Sequence, residues 1–361
     1  MARQLTLAYP GDLNTLTGGY IYNKRILAEL KALGWQTDTL ALDARFPAVD
    51  EAIKQASAKQ LAQVPPGQAL VIDGLALGAL GNHTKVITQT RPFIALVHHP
   101  LALESGIDAA TAKTLRETER VALSLAQSVI VTSQITKQTL TDQYDVAADK
   151  ITVIEPGVDR AGQLGTSGAA ATAQKNPNAT PVKLLSVGAL VPRKGFDVLI
   201  AALGRLAELD WQLTIVGDEQ RAPACTAHIK DLIQQFGLQS QVTFAGALPA
   251  QELAEQYANA DLFVLASRYE GYGMAYTEAL AWGLPVIGTD GGAAVQTLAT
   301  AAAKTVPVDD VDQLAQVLRA LIVDNRTRAQ MRVAAIEHAK YLPSWQDSGS
   351  KFSQALTAGI Q

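Results

Sequence analysis

The chain has 361 residues, 48% of them hydrophobic and 18% charged, which suits a globular protein of about two domains. A formal net charge of −4 and a pI near 5.8 exclude a dedicated nucleic-acid binder, which needs excess Lys and Arg to neutralise phosphates along a duplex. A single cysteine, Cys225, excludes an internal disulfide and a multi-cysteine metal site.

The first ten residues are too short and too soon interrupted for a secretory signal, and no run approaches the ~18 apolar residues of a transmembrane helix. A cytoplasmic protein is expected. Residues 5–9 read as a short apolar strand, and residues 10–19 as a polar loop ending in the pair Gly18-Gly19. Residues 20–34 show helical spacing through Ile21, Ile26, Leu27, Leu30 and Leu33, with Gly34 as the stop. Strand candidates follow at 35–42, 69–73 and 93–97, with a helix at 50–62. The last of these strands runs into His98-His99-Pro100. A helix at 109–125, a strand at 128–132, a helix opened by Ser133 and a strand at 151–154 close the series. Such alternation predicts a parallel sheet with helices on its faces.

Residues 161–181 shift to Ala, Gly, Thr, Ser, Asn and Gln, with no period and too little apolar mass to pack, and so read as a flexible linker. A second series begins beyond it, with strands at 183–187, 212–216, 242–244, 262–266 and 286–288. Helices at 195–206, 224–236, 251–258, 311–323 and 327–338 accompany them. The expected division is a first domain at 1–160, the linker at 161–181, a second doubly wound domain at 182–340 and a terminal segment at 341–361. The α/β class with two Rossmann-like domains puts a ligand in a central crevice at the carboxyl ends of the strands.

The densest pattern is Ser267-Arg268-Tyr269-Glu270-Gly271-Tyr272-Gly273-Met274-Ala275-Tyr276-Thr277-Glu278-Ala279-Leu280-Ala281-Trp282-Gly283-Leu284-Pro285-Val286. It reads as a glycine loop leaving a buried strand and entering a helix near Met274 that stops at Gly283. Gly271 and Gly273 remove Cβ atoms where backbone must approach a ligand, and the helix start offers N–H groups and a positive dipole end to an anion. Glu270 sits before the helix and Glu278 about one turn into it, on the order of 6 Å of rise away, so both can face one small ligand. A second patterned run, Gly188-Ala189-Leu190-Val191-Pro192-Arg193-Lys194-Gly195-Phe196, delivers a basic pair just before a helix.

These segments resemble the retaining GT-B glycosyltransferases of family 4, the glycosyl transferases group 1, whose signature reads E-x7-E. Tyr272 stands where Phe is usual and keeps an aromatic ring. The resemblance covers most of the chain and implies GT-B architecture, with a C-terminal helix crossing back to the first domain after Tyr341-Leu342-Pro343-Ser344-Trp345. From sequence alone that segment reads equally as a terminal cap. By the same resemblance, Arg193 and Lys194 meet the diphosphate of a nucleotide-sugar donor and Glu270 accepts from hexose hydroxyls. Glu278 takes the ribose hydroxyls, and the amides following Gly273, at Met274 and Ala275, face the β-phosphate beside Gly271 and Tyr272. Gly246, Ala247 and Leu248 hold the base through backbone groups, Gly18 and Gly19 approach the distal phosphate, and His98, with His99 as the alternative, contacts the sugar.

The implied reaction moves a hexose from a nucleoside-diphosphate sugar, with UDP expected, to a sugar, lipid or polysaccharide acceptor with retention and without a cofactor. No metal is expected, since adjacent histidines point apart on an extended chain and no Asp-x-Asp stands nearby. No polybasic helix would force the first domain onto anionic lipid. Three other classes fit less of the pattern. A non-catalytic two-lobed sugar- or nucleotide-binding protein needs a crevice but not the Arg193-Lys194 and Glu270/Glu278 constellation. An NAD-dependent oxidoreductase needs a G-x-G-x-x-G run followed by an acidic residue about 20 positions on. A glycosidase would use Glu270 and Glu278 as a carboxylate pair.

Overall fold

The computed structural model describes residues 3–160 and 181–360, so the linker expected at 161–181 lies outside the described residues apart from Pro181. The chain divides into two compact units. The first is Met1–Gly157 with Pro343–Gln361, and the second is Val158–Leu342.

In the first unit the strands are β1 Gln4–Pro10, β2 Gln36–Leu42, β3 Ala69–Asp73, β4 Ile94–Val97, β5 Ser128–Val131 and β6 Ile151–Val153. They form one parallel sheet in the order β2-β1-β3-β4-β5-β6. The order reverses between β1 and β3, so the loops leaving those two strands diverge to opposite faces and open a gap at the carboxyl end of the sheet. β3, β4 and most of β5 are buried along their length and accordingly read Ala-Leu-Val-Ile, Ile-Ala-Leu-Val and Val-Ile-Val, without the alternation of a half-exposed strand.

The second unit contains β7 Val182–Val187, β8 Trp211–Val216, β9 Val242–Gly246, β10 Leu262–Val264, β11 Val286–Thr289 and β12 Ala303–Val306. Their order is β12-β11-β10-β7-β8-β9, all parallel, with the reversal between β7 and β10. This is the dinucleotide-fold order 3-2-1-4-5-6 read from the other edge. Leu184, Leu185, Leu262, Phe263, Val286 and Ile287 form the sheet's share of a core whose other layer is helical.

The C-terminal helix Trp345–Ile360 returns to the first unit, as the family resemblance implied. It lies against helix Gly18–Ala32 so closely that a Cβ on Gly349 would overlap Glu29. Trp35 Nε1 donates to Ser353 Oγ at 2.9 Å, and Ser348 Oγ donates to the Glu155 carbonyl at 2.6 Å. Trp345, Phe352 and Leu356 are buried there, and each contributes about 1.5–3 kcal/mol of apolar transfer energy. The terminal segment is therefore part of the first unit's core.

Helix Ala109–Leu125 carries one acidic side chain inward. Glu119 is 1% exposed, and its Oε2 accepts from the Leu101 amide at 3.0 Å. Burial pushes its carboxyl up to about 8, against the opposing pull of the Leu101 amide and the Tyr144 hydroxyl. The folded protein thus keeps a proton that the unfolded chain releases above about pH 4.5, and it loses about 1.4 kcal/mol of stability per pH unit from there up to about 8. Glu119→Gln, an uncharged isostere, is expected to melt well above wild type at pH 8 and together with it at pH 4.5. Parallel pH dependences would show that Glu119 is already ionised in the fold.

Candidate functional site

In the second unit the site is built where the sheet order reverses. The loop after β7 ends in a short turn, Pro192–Lys194, closed by Gly195 at φ 63°. A side chain at Gly195 would overlap the Ala266 carbonyl just beyond β10, so only glycine lets the two loops meet. They are then laced together. The Arg268 amide donates to the Arg193 carbonyl at 2.7 Å, and Arg193 Nη1 donates to the Tyr269 carbonyl at 2.9 Å. Arg268 in turn spans Asp197, Asp309 and the Pro192 carbonyl.

This lacing presses the basic pair against one carboxylate. Lys194 Nζ lies 2.6 Å from Glu270 Oε1, Arg193 Nη1 lies 3.6 Å from Oε2, and Ser267 Oγ donates to Oε1 at 2.6 Å. Glu270 is only 6% exposed. Burial alone would push its carboxyl up. The charges of Lys194 and Arg193, with the hydrogen bonds from Lys194 and Ser267, outweigh that and hold it below the ordinary value, so it is ionised. Its backbone is gripped by the loop after β11, with the Glu270 amide donating to Gly291 O at 3.2 Å and the Ala293 amide to Glu270 O at 2.7 Å. Gly291 has no room for a Cβ beneath Arg268.

Gly271, Tyr272 and Gly273 lead from Glu270 into helix Met274–Ala281. Gly273 occupies the N-cap at φ 95° and offers no side chain, so the amides of Met274 and Ala275 open the helix without a side-chain cap. Thr297 Oγ1 fixes the loop by donating to Tyr272 O at 2.6 Å. The buried Tyr276 hydroxyl ties the helix back to Leu265 O at 2.8 Å. Glu278, half-buried one turn on, accepts from the Tyr257 hydroxyl at 2.8 Å, and the Tyr257 ring stacks on Trp282 and Phe263. Each of the two carboxylates therefore has its own supporting partner. At the end of β9, Gly246 has φ 68° and open space around its Cα, with Ala247 exposed and Leu248 half-buried beside it.

In the first unit, Gly18 and Gly19 form the first turn of helix Gly18–Ala32. A Cβ on Gly19 would sit 3.1 Å from His98 Cδ2, so the glycine lets the helix start approach the imidazole. His98 Nε2 lies 3.3 Å from Asn23 Oδ1 and 3.5 Å from Asp73 Oδ2. His99 turns to Glu104, 3.3 Å away, as neighbours on an extended segment do. Burial would raise the Asp73 carboxyl, but His98, Asn23 and the Leu75 amide together hold it below its ordinary value. Among the described residues no group of three or more His, Cys, Asp or Glu could hold a metal ion, and no helix is long and apolar enough to cross a membrane.

Several supporting residues were not singled out from sequence. Gly291-Gly292 had a usable signal, a glycine pair a few residues beyond an apolar run, after Thr289-Asp290. Asp73 had a weaker one, a carboxylate ending a strand and preceding a glycine. Asn23 and Tyr257 are ordinary helix residues whose contacts exist only in three dimensions, and Ser267 opens the patterned run without a role being legible there.

Residues 169–338 match the family model described as Glycosyl transferases group 1, and residues 71–161 match the one described as Glycosyltransferase Family 4. A D-inositol 3-phosphate glycosyltransferase of Corynebacterium efficiens is 30% identical over 286 residues, covering 73% of this chain and 67% of the relative. A GDP-mannose-dependent monoacylated alpha-(1-6)-phosphatidylinositol monomannoside mannosyltransferase of Corynebacterium glutamicum is 35% identical over 176 residues, 46% of this chain and 45% of the relative. Among solved structures, sucrose-phosphate synthase from Thermosynechococcus elongatus superposes with a TM-score of 0.80 at 22% identity, over 98% of each chain. The two parallel sheets with their helices are thus a GT-B fold.

The ion cluster makes a stability prediction. Lys194→Met strips the nearer cation from a buried carboxylate and is expected to cost about 3 kcal/mol in urea unfolding. In a Glu270→Gln background the same change is expected to cost less than about 1 kcal/mol, because the charge it neutralised is gone. Equal costs in both backgrounds would show that the pair is not coupled.

Proposed function

This chain belongs to the glycosyl transferases group 1, of the family 4 type, and on that premise we propose that it transfers a hexose from a nucleoside-diphosphate sugar with retention and without a metal ion. The observation that carries the reading is the basic pair Arg193-Lys194 held against the buried Glu270 carboxylate, where the second sheet reverses its strand order. As the bond between anomeric carbon and diphosphate breaks, negative charge collects on the leaving oxygens. Two cationic side chains and an uncapped helix start stabilise that charge in the way a divalent ion does elsewhere.

Glu270 serves twice in this scheme. Its charge keeps Lys194 and Arg193 aligned before the donor arrives, and Oε2, 3.6 Å from Arg193, retains capacity to accept from a hexose hydroxyl. Glu278, oriented by Tyr257, accepts from the ribose. Gly246, Ala247 and Leu248 offer backbone groups to the base. UDP is the expected nucleotide, and the GDP-mannose-dependent relative makes GDP the other one to test. Gly18, Gly19 and His98 are assigned to the distal phosphate and the hexose. The acceptor is a hydroxyl of a sugar, lipid or polysaccharide.

Retention follows from the side of attack. With Glu270 committed to the cationic pair, it is not the base that an inverting attack needs on the far face. The acceptor hydroxyl approaches on the face the diphosphate leaves. Its oxygen bonds the anomeric carbon, the bond to the diphosphate breaks, and the proton passes to the departing phosphate oxygen.

Lys194→Ala is expected to lower kcat on the order of 10²-fold or more with a smaller change in donor KM, measured under conditions where the variant remains folded. A kcat within about threefold of wild type would remove Lys194 from the reaction. Wild-type activity is expected to survive excess EDTA, and loss restored by Mg²⁺ or Mn²⁺ would contradict the metal-free scheme. With an α-linked donor, proton NMR of the first product is expected to show an α-linkage. A β-linked product would refute retention.

A further inference from the structure

Where the first sheet reverses its order, three polar side chains from three separate segments converge. Asn23 comes from helix Gly18–Ala32, Asp73 from the end of β3, and His98 from just beyond β4. Asn23 is fully buried, and Asp73 is 5% exposed. The Asn23 amide nitrogen donates to Asp73 Oδ2 at 2.7 Å, which leaves Asn23 Oδ1 toward His98 Nε2 at 3.3 Å. Flipping that amide would set two acceptor oxygens against each other, so its orientation is determined. Asp73 Oδ2 lies 3.5 Å from the same imidazole nitrogen, and Asp73 Oδ1 is anchored by the Leu75 amide at 2.9 Å. Nε2 therefore faces only acceptors and must carry hydrogen. The ring is further held by Tyr22, whose ring meets it edge-on with centroids 5.3 Å apart, and by Gly19 at the Cδ2 edge. On the opposite edge, Nδ1 has no hydrogen-bond partner among the described residues.

We propose that Asp73, with Asn23, is a positioning residue that holds His98 as its Nε2–H tautomer and so leaves Nδ1 to accept a hydrogen bond from a hydroxyl of the transferred hexose. The identity of that hydroxyl's owner rests on the proposed glycosyl transfer. The tautomer rests on the convergence of Asn23 and Asp73 alone. An acceptor at this position recognises a group that can donate, and a fixed tautomer removes the need to reorganise the ring when the donor binds. Without the carboxylate the imidazole is free to exchange tautomers, and in the Nδ1–H form it can only donate, so the hydroxyl must turn to accept and the fixed acceptor is lost.

The test combines a spectroscopic readout with a kinetic one. In protein carrying ¹⁵N-labelled histidine and no nucleotide, with the His98 signals assigned by His98→Gln, Nε2 is expected to resonate as the protonated nitrogen and Nδ1 as the unprotonated one. Asp73→Asn is expected to lose this single tautomer and to lower kcat/KM by about 10-fold or more. In the His98→Gln background the same change is expected to have no further effect on transfer. Asp73 also caps helix Gly74–Leu80, so Asp73→Ser, which keeps a capping oxygen too short to reach His98, provides the same readouts if the Asn variant does not fold. Protonation of His98 on Nδ1 in the wild type, or losses that multiply in the double variant, would overturn the inference. A wild-type protein that shows the tautomer but transfers no sugar upholds control of His98 by Asp73 and overturns the proposed activity instead.

Discussion

A carboxylate as deeply buried as Glu270 is stable only if positive charge and hydrogen-bond donors are fixed around it, and that requirement organises the second unit. It explains why Lys194, Arg193 and Ser267 converge on it from two loops, and why those loops are sewn together by Arg268. It also explains the backbone. Gly195 and Gly291 stand where any Cβ would strike the neighbouring chain and pull the charges apart. The cations are thus held in place by the fold itself, which is the condition that the proposed diphosphate role requires.

Both units reach this kind of arrangement by one topological device. A parallel sheet whose order reverses sends adjacent loops to opposite faces, and the gap at the carboxyl end collects polar groups that the apolar strands cannot hold. In the second unit the reversal lies between β7 and β10 and gathers Lys194 with Glu270. In the first it lies between β1 and β3 and gathers Asn23 with Asp73, with His98 from the next strand completing the set. Glycine stands at the start of both helices, at Gly19 because the His98 ring lies against the first turn and at Gly273 because the backbone there has φ 95°.

Much of the fold is legible in the sequence because buried parallel strands are short apolar runs and their helices carry a 3.6-residue period. Residues 69–73, 109–125 and 311–323 were predicted at the bounds observed. Helix Gly74–Leu80 leaves no such signal because its Gly-Leu-Ala-Leu-Gly-Ala-Leu run is apolar on every side and therefore has no period. β12 leaves none either, because it is an edge strand, half-exposed and bearing Lys304. In the site, Arg193, Lys194 and Glu270 stand out through their glycine loops, yet their pairing spans 76 residues and depends on β7 lying beside β10. Asn23 and Asp73 are 50 residues apart, Asn23 beside Lys24 and Arg25 in an ordinary helix turn and Asp73 alone between two apolar runs. No local pattern records such a contact, since it is made by sheet order and not by spacing.

The claim on which the account turns is that Arg193 and Lys194 form a preassembled receptor for a diphosphate. Its most direct test is calorimetric titration of the wild-type protein with UDP and UMP, and with GDP and GMP, in EDTA, repeated on Lys194→Ala. The account predicts that one nucleoside diphosphate binds at least about 10-fold tighter than its monophosphate, a difference of about 1.4 kcal/mol, and that the gap collapses in the variant. Equal binding of diphosphate and monophosphate by the wild type, or a gap that survives the loss of Lys194, would contradict it.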